Sequence, residues 1–349
     1  MPSPPFFDLL NALDSLNNKD KYSNFHIINT PYKTLSDDCS VAADILIPRT
    51  IRDANRSSPR PVIIRIHGGF LVTGSSLYAP WFNNWILDYA LQHDAIIISP
   101  NYRLLPEVSG SEILEDIHDL WKWVGDGSVD KIIKDAGHRE LGLNLDSILV
   151  VGESAGGYLA TQLAISYPYQ IRALIAAYPM VDLQSRFYTE AFSKPIVGVP
   201  NVPEEMIDKH LAMIAATGKS RVICTAANPP DRVELAFSIV QNGRFLEFFG
   251  TDRSLFPMVR IEDELKRNPG FQLPPMFILH GEQDSAVPVD GSRKFVQFLQ
   301  KNMPDTQVIL HTEDGDHGFD ALATLDMPWL KSALAMISKE WLGSYNSHL

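Results

Sequence analysis

One stretch of this chain limits its possible folds more than any other. Ser147-Ile148-Leu149-Val150-Val151 is apolar and largely β-branched, so it reads as a buried strand. It runs directly into Gly152-Glu153-Ser154-Ala155-Gly156-Gly157, and Tyr158 to Ser166 then continues with the composition of a helix. A serine between glycines at a strand-to-helix crossing sits on a tight turn that lifts its hydroxyl clear of the sheet. Gly152 and Gly156 keep side chains out of that turn, and Gly157 lets the helix start close to neighbouring strands. The helix N-terminus directs backbone N–H groups and positive dipole towards any oxyanion forming there. Ser154 is therefore the candidate nucleophile, and Glu153 reads as a brace for the turn.

The rest of the chain supplies a sheet for such a turn. Short apolar runs at Pro61–Ile66, Ala95–Ser99, Ser147–Val151, Ile171–Ala177, Pro275–Leu279 and Gln307–His311 alternate with helical patterns. Those patterns lie at Trp81–Gln92, Ser111–Val124, Ala155–Ser166, Gly291–Lys301 and Trp329–Leu342. The alternation predicts an α/β fold with a mostly parallel central sheet flanked by helices. His26–Lys33 and Val41–Pro48 read as antiparallel edge strands. Between Asp182 and Pro269 the rhythm breaks into mixed helical pieces with several prolines. We expect a core of residues 1–181 and 270–349 and a helical cap of residues 182–269, which the N-terminal ~20 residues could join.

A serine needs a base, the base needs an orienting carboxylate, and the developing oxyanion needs donors. His67-Gly68-Gly69-Phe70 follows an early strand, and its two glycines let the backbone approach a substrate carbonyl. Gly68, Gly69 and Ala155 are the candidate oxyanion donors. His67 reads as a loop brace. His317, in Asp314-Gly315-Asp316-His317-Gly318-Phe319 after the last strand, is the candidate base. After the preceding strand comes Gly281-Glu282-Gln283-Asp284-Ser285. Asp284 is the best placed acid there, with Glu282 a competitor. Asp290 looks like a helix N-cap, and Asp314 and Asp316 look like caps of the His317 loop. Phe70, Trp81 and Trp85 are candidate substrate-binding residues. The Trp81, Phe82, Trp85 and Tyr89 cluster has helical spacing, which more often marks core.

Composition excludes several alternatives. Of 349 residues, 45% are hydrophobic and 21% charged, which suits a globular protein with a sizeable core. The formal net charge of −12 and the lack of a basic run argue against nucleic-acid partners and anionic membranes. No segment approaches the ~20 apolar residues of a transmembrane helix. Cys39 and Cys224 form no metal-spaced cluster, and there is no HExxH or Walker A pattern, so neither metal nor cofactor is expected. The N-terminus lacks the cationic start and apolar core of a signal peptide, which predicts a cytoplasmic protein. Ser347-His348-Leu349 resembles a Ser-Lys-Leu peroxisomal address, although three residues at a frayed tail carry little information.

HGGF, GESAGG and GDHGF occur in one order, joined by Asn101-Tyr102-Arg103-Leu104-Leu105-Pro106-Glu107. Together they resemble the hormone-sensitive-lipase-like branch of the α/β-hydrolases, fungal members in particular, over roughly Val41 to Leu342. The resemblance implies cofactor-free hydrolysis of a small-molecule carboxylic ester. It implies a triad of Ser154, Asp284 and His317 under an oxyanion hole of Gly68, Gly69 and Ala155, with a cap that sets substrate choice. GEQDSAVP departs from the family around the acid. Fungal relatives of this kind often act in secondary metabolism, so a transacylase or product-release hydrolase on a polyketide or carrier-bound ester is an alternative. A ligand receptor on the same fold is another, and plant gibberellin receptors resemble the family without its histidine. His317 stands against that reading.

Overall fold

The apolar runs pair into one eight-stranded sheet in a computed structural model that describes residues 4–36, 39–53, 58–216 and 223–343. The strands are β1 (Phe25–Ser36), β2 (Cys39–Pro48), β3 (Ser58–Ile66), β4 (Ile96–Pro100), β5 (Leu141–Glu153), β6 (Ala173–Ala177), β7 (Met276–Gly281) and β8 (Val308–Glu313). Their spatial order is β1-β2-β4-β3-β5-β6-β7-β8. β1 and β2 are the antiparallel edge expected from the sequence, and β2 also meets β4 antiparallel. All other pairings are parallel. The Ser347-His348-Leu349 tripeptide lies outside the described residues.

Period-two alternation sends side chains to two apolar layers. Val62, Ile64, Ile66, Ile148 and Val150 face one, and Ile63, Leu149 and Val151 face the other. Helices Gly110–Gly125 and Ala155–Ser166 cover the first face; Asn84–Gln92 and Pro328–Leu342 cover the second. Ala155–Ser166 is buried along almost its whole length, which explains why its sequence is apolar on every side. Helix Gly110–Gly125 starts with a capping box in which Ser109 and Glu112 satisfy each other's backbone N–H groups.

Several boundaries differ from the sequence reading. β5 begins at Leu141, because its first residues pair with Ser58–Arg60 of β3 across a register shift. The helix expected from Trp81 begins at Asn84. Ahead of it Ala79–Trp81 forms a 3₁₀ turn, and Arg65 Nη2 takes the Trp81 carbonyl at 2.7 Å.

Register aligns the C-terminal ends of the parallel strands. Ile66 stands opposite Gly152, Gly152 opposite Ala176, and Ala176 opposite Ile278. The loops after β3, β5, β6, β7 and β8 therefore leave one edge of the sheet, where open α/β folds place their ligands. Between β6 and β7 the described residues form helices, including Glu205–Ala216, Val233–Gln241 and Pro257–Arg267, and no strand of the sheet. No helix among the described residues is long and apolar enough to cross a membrane.

Candidate active site

Ser154 occupies the strained turn its neighbours imply, with φ 57° and ψ −118°. The turn is pinned by the Ser154 N–H donating to Ala177 O at 2.8 Å. Its glycines are obligatory by contact. A Cβ at Gly152 would lie 2.1 Å from Gly156 O, and one at Gly156 would lie 2.0 Å from Ile66 O. Glu153 lines the same cavity as Ser154 and accepts from Arg65 Nε at 2.5 Å. Arg65 also binds Ser76 O, and its guanidinium lies over the Phe82 ring. This buried pair braces β5 to β3, the structural role expected of Glu153.

The loop after β3 packs directly on the serine, since a Cβ on Gly68 would lie 3.0 Å from Ser154 Cβ. Gly69 has φ +110°, a conformation that favours glycine. The N–H groups of Gly68 and Gly69 donate to no protein group among the described residues. The Ala155 N–H belongs to the first turn of its helix, where N–H groups lack intrahelical partners. His67 is fully buried and stacks on Tyr102 with ring centroids 4.4 Å apart. Burial pushes its pKa down to about 3, so it stays neutral, and its Nδ1 meets Gly68 O at 2.7 Å. Tyr102 donates to His67 O at 2.9 Å. The Asn101–Glu107 stretch thus buttresses the loop: Arg103 binds Asp116, and Glu107 binds Arg232 and His210 of the β6–β7 insertion.

On the other side, His317 Nδ1 donates to Asp284 Oδ2 at 2.8 Å. Asp284 is oriented from behind, its Oδ1 accepting the N–H groups of Ala286 and Val287 at 2.9 and 2.7 Å. Buried His280 lies 3.2 Å from Oδ2. Burial pushes the Asp284 carboxyl up, but the charge of His317 and bonds from both histidines outweigh it. Its pKa falls well below the usual carboxylate range. For His317, burial pushes the imidazole down, and Asp284, with Asp316 and Asp320, more than offsets it. The net shift is upward.

The competing carboxylates go elsewhere. Glu282 pairs with Arg293 at 2.5 Å. Asp290 lies inside the first turn of helix Val289–Asn302, whose N-cap is Pro288. Asp316 accepts from Ser285 N and His317 N, both at 2.7 Å, and so caps the loop as expected.

Ser154 and His317 line one cavity of about 170 Å³ with Gly68, Gly69, Phe70 and Trp81. No hydrogen bond joins Ser154 Oγ to His317 among the described residues; such contacts are commonly open before substrate binds and tighten afterwards. Trp85 corrects an expectation. It is fully buried in the layer beneath the sheet and donates its Nε1–H to Asp320 at 2.9 Å, so it is core and not cavity wall. Trp81 and Trp85 do not share a helix face, because Trp81 belongs to the 3₁₀ turn and the helix begins only at Asn84.

A family model described as alpha/beta hydrolase fold matches residues 63–240. The chain belongs to the α/β-hydrolase family. This α/β-hydrolase is 32% identical over 308 residues to a probable carboxylesterase, M8, of Phoma sp., covering 87% of this chain and 93% of that one. It is 24% identical over 302 residues to a segment of the non-reducing polyketide synthase Preu6 of Preussia isomera, covering 80% of this chain and 13% of the synthase. In fold it is similar to the esterase of Pyrobaculum calidifontis, with TM-score 0.57 and 18% identity over 97% of this chain and 92% of that one. The resemblance to hormone-sensitive-lipase-like esterases therefore stands, and the chain is a carboxylic ester hydrolase.

Several wall residues of this α/β-hydrolase escaped the sequence reading. Leu9, Leu13 and Leu16 come from the N-terminal segment, Ile196 and Val197 from the start of the insertion, and Val233 and Phe237 from one of its helices. Asn83 and Tyr178 also line the cavity. No motif marks any of them.

Proposed function

We propose that Ser154, His317 and Asp284 act as a catalytic triad on a neutral, largely apolar carboxylic ester. The observation that carries this is the 2.8 Å bond from His317 Nδ1 to Asp284, with His317 sharing a cavity with Ser154 beneath Gly68 and Gly69. Ser154 Oγ attacks the ester carbonyl carbon and passes its proton to His317 Nε2. The N–H groups of Gly68, Gly69 and Ala155 receive the oxyanion, each worth ~3 kcal/mol of barrier. The imidazolium then returns its proton to the leaving alkoxide, and an acyl-enzyme remains on Ser154. Water repeats the sequence and releases the acid.

The cavity wall supports the substrate class. Its side chains are mostly aliphatic and aromatic, and besides the His317 base its one charged group, Glu153, is paired with Arg65. Burying a charge on the substrate there would have no compensation. The helical insertion of residues 182–269 and helix Pro4–Ser15 act as the cap, because both supply cavity wall. We therefore expect short or aromatic-bearing esters to react faster than long-chain lipids. Fluorophosphonate labelling, followed by p-nitrophenyl esters from acetate to decanoate, tests this; rapid cleavage of emulsified long-chain triglyceride would overturn it.

The likeness to a segment of a polyketide synthase favours one second reading, acyl release or transfer in secondary metabolism from a carrier-bound ester. The same triad serves, and only the acceptor differs. Turnover of an acyl pantetheine thioester faster than of the matching oxygen ester would support it, and inertness towards thioesters would exclude it.

A further inference from the structure

Behind the base lies a second buried carboxylate that the triad does not use. Asp320 is fully buried, three residues after His317 in the same loop. Its Oδ2 accepts from Asn83 Nδ2 at 2.8 Å and Trp85 Nε1 at 2.9 Å, while Oδ1 has no partner. Asn83 Nδ2 also donates to the Tyr178 hydroxyl at 3.3 Å, so this amide bridges the carboxylate and the phenol. The Tyr178 ring then meets the His317 imidazole edge-on, centroids 4.5 Å apart at 61°. Tyr178 reaches this place through an unusual backbone, φ 40°, fixed by its N–H donating to Leu279 O at 2.7 Å. Asn83 and Tyr178 both face the cavity, so the network is continuous from the buried carboxylate to the reacting groups.

We propose that Asp320 is a positioning residue for ester hydrolysis: through the Asn83 bridge and the Tyr178 ring it fixes the plane of the His317 ring, and it helps hold the positive charge that ring carries during turnover. The inference rests on the triad reading above. A neutral acceptor would satisfy Trp85 and Asn83 equally well. A carboxylate buried with one oxygen unpartnered is costly, and a cation forming one ring away offsets that cost. The other titratable or charged groups around the pair are Asp284 from the loop after β7, His280 at the end of β7 with its ring 6.4 Å from that of Tyr178, Asp316 on the His317 loop itself, and Glu153 at the end of β5 with its partner Arg65. Lys21 lies beyond Glu153. Burial raises the Asp320 pKa to about 6, and the Trp85 hydrogen bond is the main influence opposing that rise. Above that pH Asp320 is charged and favours protonated His317; as it protonates, its help is lost.

The test is the pH profile of kcat/KM for p-nitrophenyl acetate between pH 5 and 9, in the wild type, Asp320→Asn and Tyr178→Phe. Asn retains an oxygen for Trp85 and Asn83 but never carries charge. The His317-linked limb should move to lower pH by about 0.5 of a unit or more. At the plateau kcat should fall several-fold with KM nearly unchanged. Tyr178→Phe should shift the limb the same way, because it removes the hydroxyl through which Asn83 ties the ring facing His317 to Asp320. It decides the matter if Asp320→Asn does not fold. Limbs that superimpose on the wild type in every folded variant, while Ser154→Ala and His317→Ala are inactive, overturn this inference and leave the triad standing. Turnover retained in Ser154→Ala or His317→Ala would instead overturn the triad, and this inference with it.

Discussion

Asp284→Asn separates the proposed triad acid from its neighbours, and the structure dictates how it should fail. Asp284 Oδ1 accepts two buried N–H groups, from Ala286 and Val287. An asparagine must keep its carbonyl oxygen there, since turning its NH₂ towards those donors would strand both, at about 1–3 kcal/mol each. Its NH₂ is then forced towards His317 Nδ1, which can only accept. The ring proton moves to Nε2, the nitrogen that should receive the proton of Ser154, and the base is in the wrong tautomer. Such a tautomer error costs about 10⁴-fold in kcat, or about 5.5 kcal/mol of barrier. The assay is kcat/KM for p-nitrophenyl acetate at pH 8, with thermal unfolding as the check on folding. Glu282→Gln and Asp290→Asn serve as controls, because those carboxylates bind Arg293 at the surface. An Asp284→Asn enzyme within tenfold of wild type, or a Glu282→Gln enzyme equally damaged, would refute the assignment.

Ser154→Ala should abolish fluorophosphonate labelling and reduce kcat at least about 10⁴-fold, and the Ser154→Ala/His317→Ala double variant should be no slower than either single one, because the triad acts as a unit. Wild-type kcat/KM should rise with pH as His317 loses its proton, with a midpoint above the ordinary histidine value of about 6.5, since the carboxylates around it outweigh burial; a midpoint clearly below 6 in a pH-rate titration would contradict that balance. Arg232→Met should destabilise the fold by about 3 kcal/mol in urea unfolding at pH 7, because it strips a buried Glu107 of its main cation. Glu107 has a pKa near 2, burial pushing up but Arg232 and His210 pulling it further down. Its stabilisation is present above the unfolded value near 4.3 and is lost as pH falls from there towards 2, so the Arg232→Met penalty should shrink in acid.

The difference between what was legible in the sequence and what was not follows from how each part is constrained. The turn at Ser154 was legible because backbone geometry leaves Gly152 and Gly156 no alternative; a single Cβ would overlap a carbonyl oxygen at 2.1 or 2.0 Å. The sheet was legible because strands buried on both faces must be continuously apolar. Asp284 was separable from Glu282 only once the two N–H groups behind it were seen, since several carboxylates lay within a few residues along the chain. The cavity wall obeys no such local rule. Leu9, Ile196, Val233 and Phe237 meet around Ser154 because three distant segments converge, and any apolar residue of suitable size would read the same in sequence. Trp85 shows the opposite error: an aromatic beside Trp81 in sequence is turned by the helix into the core, where it serves the His317 loop through Asp320. The catalytic reading therefore rests on positions where chemistry or backbone geometry admits few residues, and substrate choice rests on positions where it admits many. Substitutions at Phe70, Phe237 or Leu13 should accordingly change which ester is cleaved far more readily than whether one is.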